Sequence, residues 1–131
     1  MFIGSLKKEQ QEYFLSAAQY LMAADGKIDE RETSILETLT AHCDPDVTPL
    51  EDISAVSPNA LFSDRRSQVA CLLELVGVAL ADESYDESEK AIIHDLTSTF
   101  GLSQALLEDI ENWVSRQMSL MREAQQMMME G

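Results

Sequence analysis

Apolar residues recur at helical spacing along almost the whole chain, and no segment sustains an alternation of period two. Phe14, Ala17, Ala18 and Leu21 fall at i, i+3, i+4 and i+7, which predicts a first helix over residues 6–24 with Ser5 as its N-cap. Asp25-Gly26 breaks it. A second helix is expected over about 30–42, with Ile35, Leu36 and Leu39 facing inward. Thr48-Pro49-Leu50-Glu51 supplies an N-cap, a proline at the first helical position and a capping-box Glu, which predicts a short helix over 49–56. Ser57-Pro58-Asn59 marks the middle of the chain.

The second half follows the same plan. Residues 64–82 are apolar nearly all round, through Val69, Leu72, Leu73, Val76 and Leu80, as befits a central, buried helix. After a break at Glu83-Ser84-Tyr85, a helix over 87–100 carries Ile92, Ile93, Leu96 and Phe100, and Gly101 is placed to cap it. A last helix starts near Ser103 and runs through Leu106, Leu107, Ile110, Trp113 and Val114. Its core face is expected to reach Met121, with a frayed end beyond. The fold class read from this pattern is all-α. It is a compact single-domain helical bundle of about five to seven helices, built from two pseudo-repeated helix–turn–helix units. The units are about 6–56 and 61–115, packed about a pseudo-twofold axis. A methionine-rich end follows over 116–131.

The repeat is visible residue by residue. Residues 23–32, AADGKIDERE, and 80–89, LADESYDESE, align with an offset of 57 and share an Ala-Asp-x-x-x-Asp-Glu-x-Glu pattern. Asp29 with Glu32, and Asp86 with Glu89, have the spacing of capping boxes, and acids there also favour the positive end of the helix dipole. Asp25 and Asp82 stand instead at the C-terminal end of the preceding helix, where carboxylates are disfavoured. The first turn reads like the back half of an EF-hand loop. The loop's earlier ligand positions, however, fall on Leu21 and Ala23, which cannot ligate, so the segment is not an EF-hand. Three carboxylates are too few for Ca²⁺. Six would suffice if the fold joined the turns: Asp25, Asp29, Glu32, Asp82, Asp86 and Glu89. The candidate cofactor is a divalent cation, Ca²⁺ or Mg²⁺ ahead of Zn²⁺.

Charge narrows the classes. With 24 acidic against 9 basic residues the net charge is −15, which argues against nucleic acid and against an anionic membrane surface. It favours cations, basic partners or plain solvation. The longest apolar stretch, Val69 to Ala81, is interrupted by Glu74 and too short to cross a bilayer, so no direct membrane insertion is expected. Cys43 and Cys71 form no C-x-x-C pair, and the lysines of the N-terminus follow its apolar residues, unlike a signal peptide. A cytoplasmic, reducing location is expected.

Catalysis is not expected. His42 and Cys43 are neighbours on one helix and point about 100° apart, and the acidic chain gives a thiolate no electropositive setting. His94, about one helical turn past Glu89, is a possible transition-metal partner for Asp86 or Glu89, though more simply a surface histidine. No Gly-rich phosphate loop and no H-E-x-x-H is present.

Helix, Ala-Asp-Gly-x-Ile-Asp-x-x-Glu, helix and a second degenerate copy resemble the TerB-like domain of tellurite-resistance proteins, also found at one end of some membrane-anchored J-domain co-chaperones. The resemblance spans roughly residues 8–115. Its signature positions carry over onto Asp25, Gly26, Asp29 and Glu32, and onto Asp82, Asp86 and Glu89. It implies a non-enzymatic binding or sensing module in a stress response, with a protein partner that can be membrane-associated. Two readings stand at this level. The first is a cation-binding sensor that uses the acidic turns. The second is a protein-interaction adaptor in which the turns are only helix caps. The sequence leaves monomer and dimer both open.

Overall fold

The computed structural model describes residues 2–25, 30–81 and 85–129, with the backbone alone for residues 25 and 30–32. Six α-helices are found among them: α1 (Lys8–Met22), α2 (Glu30–Ala41), α3 (Pro58–Leu61), α4 (Arg65–Ala81), α5 (Glu87–Thr99) and α6 (Gln104–Met129). Short 3₁₀ turns occur at Ile3–Ser5, Ala23–Asp25 and Ile53–Ala55, and the described residues contain no strand. The bundle is all-α. The starts of α1 and α4, like those of α2 and α5, stand 57 residues apart, the offset at which the acidic motif recurs.

The central place goes to α4, which packs against α1, α5, α6 and the N-terminal turn. Its apolar surface runs nearly all round, so Cys71, Leu72, Leu75, Val76 and Ala79 are buried toward different neighbours. Burying each large aliphatic side chain there contributes about 1.5–3 kcal/mol. An aromatic chain ties the helices together: Tyr13 of α1 meets Phe62 with ring centroids 5.6 Å apart, and Phe62 meets Phe100, just after α5, at 5.6 Å. Gly101 closes α5 with φ +75, a left-handed conformation that favours glycine, and its N–H donates to the Ser98 carbonyl at 2.9 Å.

Three local expectations are corrected. The N-terminal cap is not Ser5. That residue lies in the 3₁₀ turn and donates its hydroxyl to the Phe2 carbonyl at 2.7 Å. Helix α1 starts two residues later, where the Gln10 side chain accepts the Lys7 N–H at 2.8 Å.

The helix expected over 49–56 is absent. Only Ile53–Ala55 forms a 3₁₀ turn, capped by Asp52, whose carboxylate accepts the Ser54 N–H at 3.0 Å. Tertiary contacts override the local cap signal here. The Ser16 hydroxyl of α1 receives the Leu50 N–H at 2.5 Å and reaches the Leu50 carbonyl at 3.3 Å, and Val47 is buried. The segment becomes a strap held along α1, and its backbone groups find partners without forming a helix.

The third correction concerns α6. Leu107, Ile110 and Val114 are buried and Met118 half-buried, but Met121 is 57 % exposed. The core therefore ends near Met118, and the helix continues in regular form to Met129. Its 26 residues span about 39 Å, against about 26 Å for the 17 of α4, so the last turns find nothing to pack on.

Candidate functional site

The second acidic turn delivers into a helix start built as expected. Asp86 accepts the Glu89 N–H at 3.0 Å, and the Glu89 carboxylate accepts the Asp86 N–H at 3.4 Å. Glu89 is only 4 % exposed, so this carboxylate is a structural part of the start of α5. Just before it, the Tyr85 hydroxyl donates to Glu111 of α6 at 2.5 Å. Burial, and then this bond to a carboxylate, push the Tyr85 phenol well above its usual range. Lys90 stands 5.4 Å from the centre of the Tyr85 ring and 3.9 Å from the exposed Glu87, a pair of little energetic weight.

Of the six candidate ligands, Asp86 and Glu89 are brought together, as a reciprocal cap. Asp29 and Asp82, and the side chains of Asp25 and Glu32, lie outside the described residues, as does the capping box expected of Asp29 with Glu32. Among the described residues no three His, Cys, Asp or Glu side chains converge in a way that would hold a metal ion. His94 is exposed while Glu89 is buried. The backbone of Asp25 ends the 3₁₀ turn Ala23–Asp25, which packs on α5. Tyr13, early in α1, reaches the end of α5 through Phe62 and Phe100, and Tyr20, late in α1, shares a groove with Ile92.

Neither cysteine is activated. Cys43 turns its Sγ to the Leu39 carbonyl at 3.4 Å, and His42 places Nδ1 2.8 Å from the Thr38 carbonyl. Each side chain folds back on its own helix. Burial, followed by the charges of Asp44 and Glu74, raises the Cys43 thiol pKa, and burial raises that of Cys71 further.

Besides an open concavity of about 660 Å³ between the N-terminal turn and α4, with Arg65 and Arg66 on its walls, two features with binding capacity stand out. One is a pair of open concavities lying end to end along α1. The first, of about 390 Å³, lies between α1, α2 and the strap, with Met22, Leu36 and Leu50 on its walls. The second, of about 380 Å³, lies between α1, α5 and the strap, with Ala17, Ile92 and Leu96. Tyr20 and Ile53 belong to both. Both volumes fall in the range of natural binding pockets. Acidic groups stand beside this apolar floor, Glu51 in the first concavity and Asp95 in the second. The helical pattern gave one unused signal for this groove: Tyr20 is a large aromatic residue off the predicted buried stripe of α1, and it is exposed.

The other feature is the projecting end of α6. Met121 and Met128 continue the stripe of Ile110 and Val114, and Leu120, Ala124 and Met127 form a second row beside it. Ser119, Arg122, Glu123 and Gln126 occupy the opposite side. Leu120, Met121, Met127, Met128 and Met129 are all exposed. Such a contiguous apolar face on a helix marks an interaction surface more often than an ornament of the fold.

No protein-family model, no curated protein and no solved structure matches this chain. The TerB-like resemblance therefore rests on the residues quoted for it. No helix among the described residues is long and apolar enough to cross a membrane.

Proposed function

We propose that this protein is a non-enzymatic protein-interaction module whose working surface is the apolar face that α6 carries beyond the bundle. One observation carries this reading: α6 stays helical to Met129 while Leu120, Met121, Met127, Met128 and Met129 are exposed. Methionine side chains are flexible and polarisable, so such a face adapts to a partner's groove with i, i+3/i+4, i+7 anchors. The acidic turns act as helix caps in this reading, as the Asp86–Glu89 pair exemplifies. A role in a metal- or oxyanion-stress response is the biological setting that the TerB-like resemblance adds to the proposal.

The test is a photo-crosslinking residue at Met128, compared in living cells with one at the exposed Ser115 on the polar side. Discrete adducts from Met128 that vanish in a Met121→Glu background support the module. Equal labelling from both positions, or none, overturns it.

A second reading keeps the cation site. Its support is that Ala23–Asp25, which opens the first acidic motif, packs on α5, the helix whose start the second acidic motif caps. Thermal midpoints of metal-free protein against Ca²⁺, Mg²⁺, Mn²⁺ and Zn²⁺ at matched ionic strength test it. A cation at a hundred times its Kd adds about 2.7 kcal/mol. A shift for one cation, lost in Asp25→Asn or Asp82→Asn, makes this reading primary, and equal small shifts for all four remove it.

A further inference from the structure

We infer that the partner of the α6 end is the groove along α1 of a second copy of this chain. The inference rests on the interaction-module reading and gives that module its occupant.

The chain carries both halves of a helix-in-groove contact. The groove runs beside α1 from Tyr13 to Met22, ten residues or about 14 Å, and the helix from Met118 to Met129 spans about 17 Å. Each is apolar and open in the monomer. Within one molecule α6 is a continuous helix anchored by Leu107, Ile110 and Val114, so its projecting turns lead away from the body that holds them.

Charge is compatible with the same pairing. Copies with a net charge of −15 repel one another wherever acidic surface meets acidic surface. Residues 116–131 escape this, with Arg116 and Arg122 balanced by Glu123 and Glu130, as do the stretches around Lys7–Lys8 and Arg65–Arg66. Of these three, the α6 end is the one with large exposed apolar side chains among the described residues. The groove they would enter bears Glu51 and Asp95 beside an apolar floor. Methionines would fill the floor around Tyr20 while the arginines face these carboxylates, the arrangement of apolar centre and charged rim found in specific interfaces.

A simple pairing of two α6 ends is less well supported. Over some twelve residues it buries about six side chains per partner, far below the roughly 20–30 residues a side of a stable interface. Insertion into a groove surrounds the helix and exchanges two such contacts when it is reciprocal. Reciprocal exchange closes as a twofold dimer, and exchange that does not close gives a concentration-dependent chain.

Sedimentation equilibrium of the purified full chain at micromolar concentrations and above tests this. Self-association is expected, weakened at least tenfold by Met121→Glu with Met128→Glu and equally by Leu36→Arg. Tyr20→Glu, at an exposed position, serves as the groove variant should Leu36→Arg fail to fold by circular dichroism. The decisive arm mixes the tail variant with the groove variant. One has an intact groove and the other an intact tail, so the mixture forms a 1:1 complex although neither associates alone. A monomeric full chain overturns the inference, as does an association indifferent to the groove variants or a mixture that forms no complex. Crosslinking from Met128 still decides the module reading in those cases, because its adducts then come from a different protein.

Discussion

The side chain of Gln11 accepts the Asp44 N–H at 2.8 Å while its amide nitrogen donates to the carbonyls of Ile3 and Leu6, at 3.2 and 3.0 Å. Gln11 is fully buried, so one amide satisfies three backbone groups of two separate segments, the N-terminal turn and the loop after α2. Gln11→Met keeps the volume and removes every partner. An unsatisfied buried group costs about 1–3 kcal/mol, so this variant is expected to lose about 3 kcal/mol in denaturant unfolding. Retained stability would mean that water takes over the amide's bonds.

Asp86→Ala removes the side-chain cap of α5, the acceptor of the Glu89 N–H, while the Glu89 carboxylate keeps the backbone N–H of residue 86. A loss of about 1 kcal/mol is expected, equal with and without divalent cations. A loss seen only when a cation is present would return Asp86 to the list of ligands.

Base should destabilise the fold through its tyrosines. Burial first, and the neighbouring Cys71 second, push the Tyr13 phenol up to about 12 from its ordinary 10.0. A raised acid keeps its proton in the folded state. Its contribution is therefore full below about pH 10 and declines as pH climbs toward 12, where only the unfolded chain releases the proton. Tyr85 shifts in the same direction. Unfolding free energy measured across this window should fall with pH, and Tyr13→Phe should flatten the slope.

Gly101→Ala meets open space but must keep φ +75, so strain alone acts. A loss of about 1 kcal/mol in thermal unfolding is expected.

The projecting end of α6 should exchange its amide hydrogens fast while residues around Leu107, Ile110 and Val114 remain protected. Deleting the chain from residue 119 onward should shift the thermal midpoint of dilute protein little. Slow exchange beyond Met121 that disappears on dilution would report the tail docked on another copy.

The sequence by itself determined which segments are helical and which of their faces are apolar. Periodicity placed α1, α2, α4 and α5 close to their observed limits, and the all-round apolar run marked α4 as central, because burial and helix geometry act on residues close in sequence. The Asp86–Glu89 box and the Gly101 cap were legible for the same reason: each is a contact within one turn of chain. Only the tertiary structure decided the rest. Thr48-Pro49-Leu50-Glu51 spells a helix start, yet Ser16, 34 residues away, takes up the backbone of Leu50 and makes the segment a strap. Where α6 leaves the core depends on the length of its neighbours, so the stripe through Met121 and Met128 has one pattern and two fates, buried before Met118 and bare after it. The groove on α1 is walled by α2, the strap and α5, a relation between distant segments that no local pattern encodes.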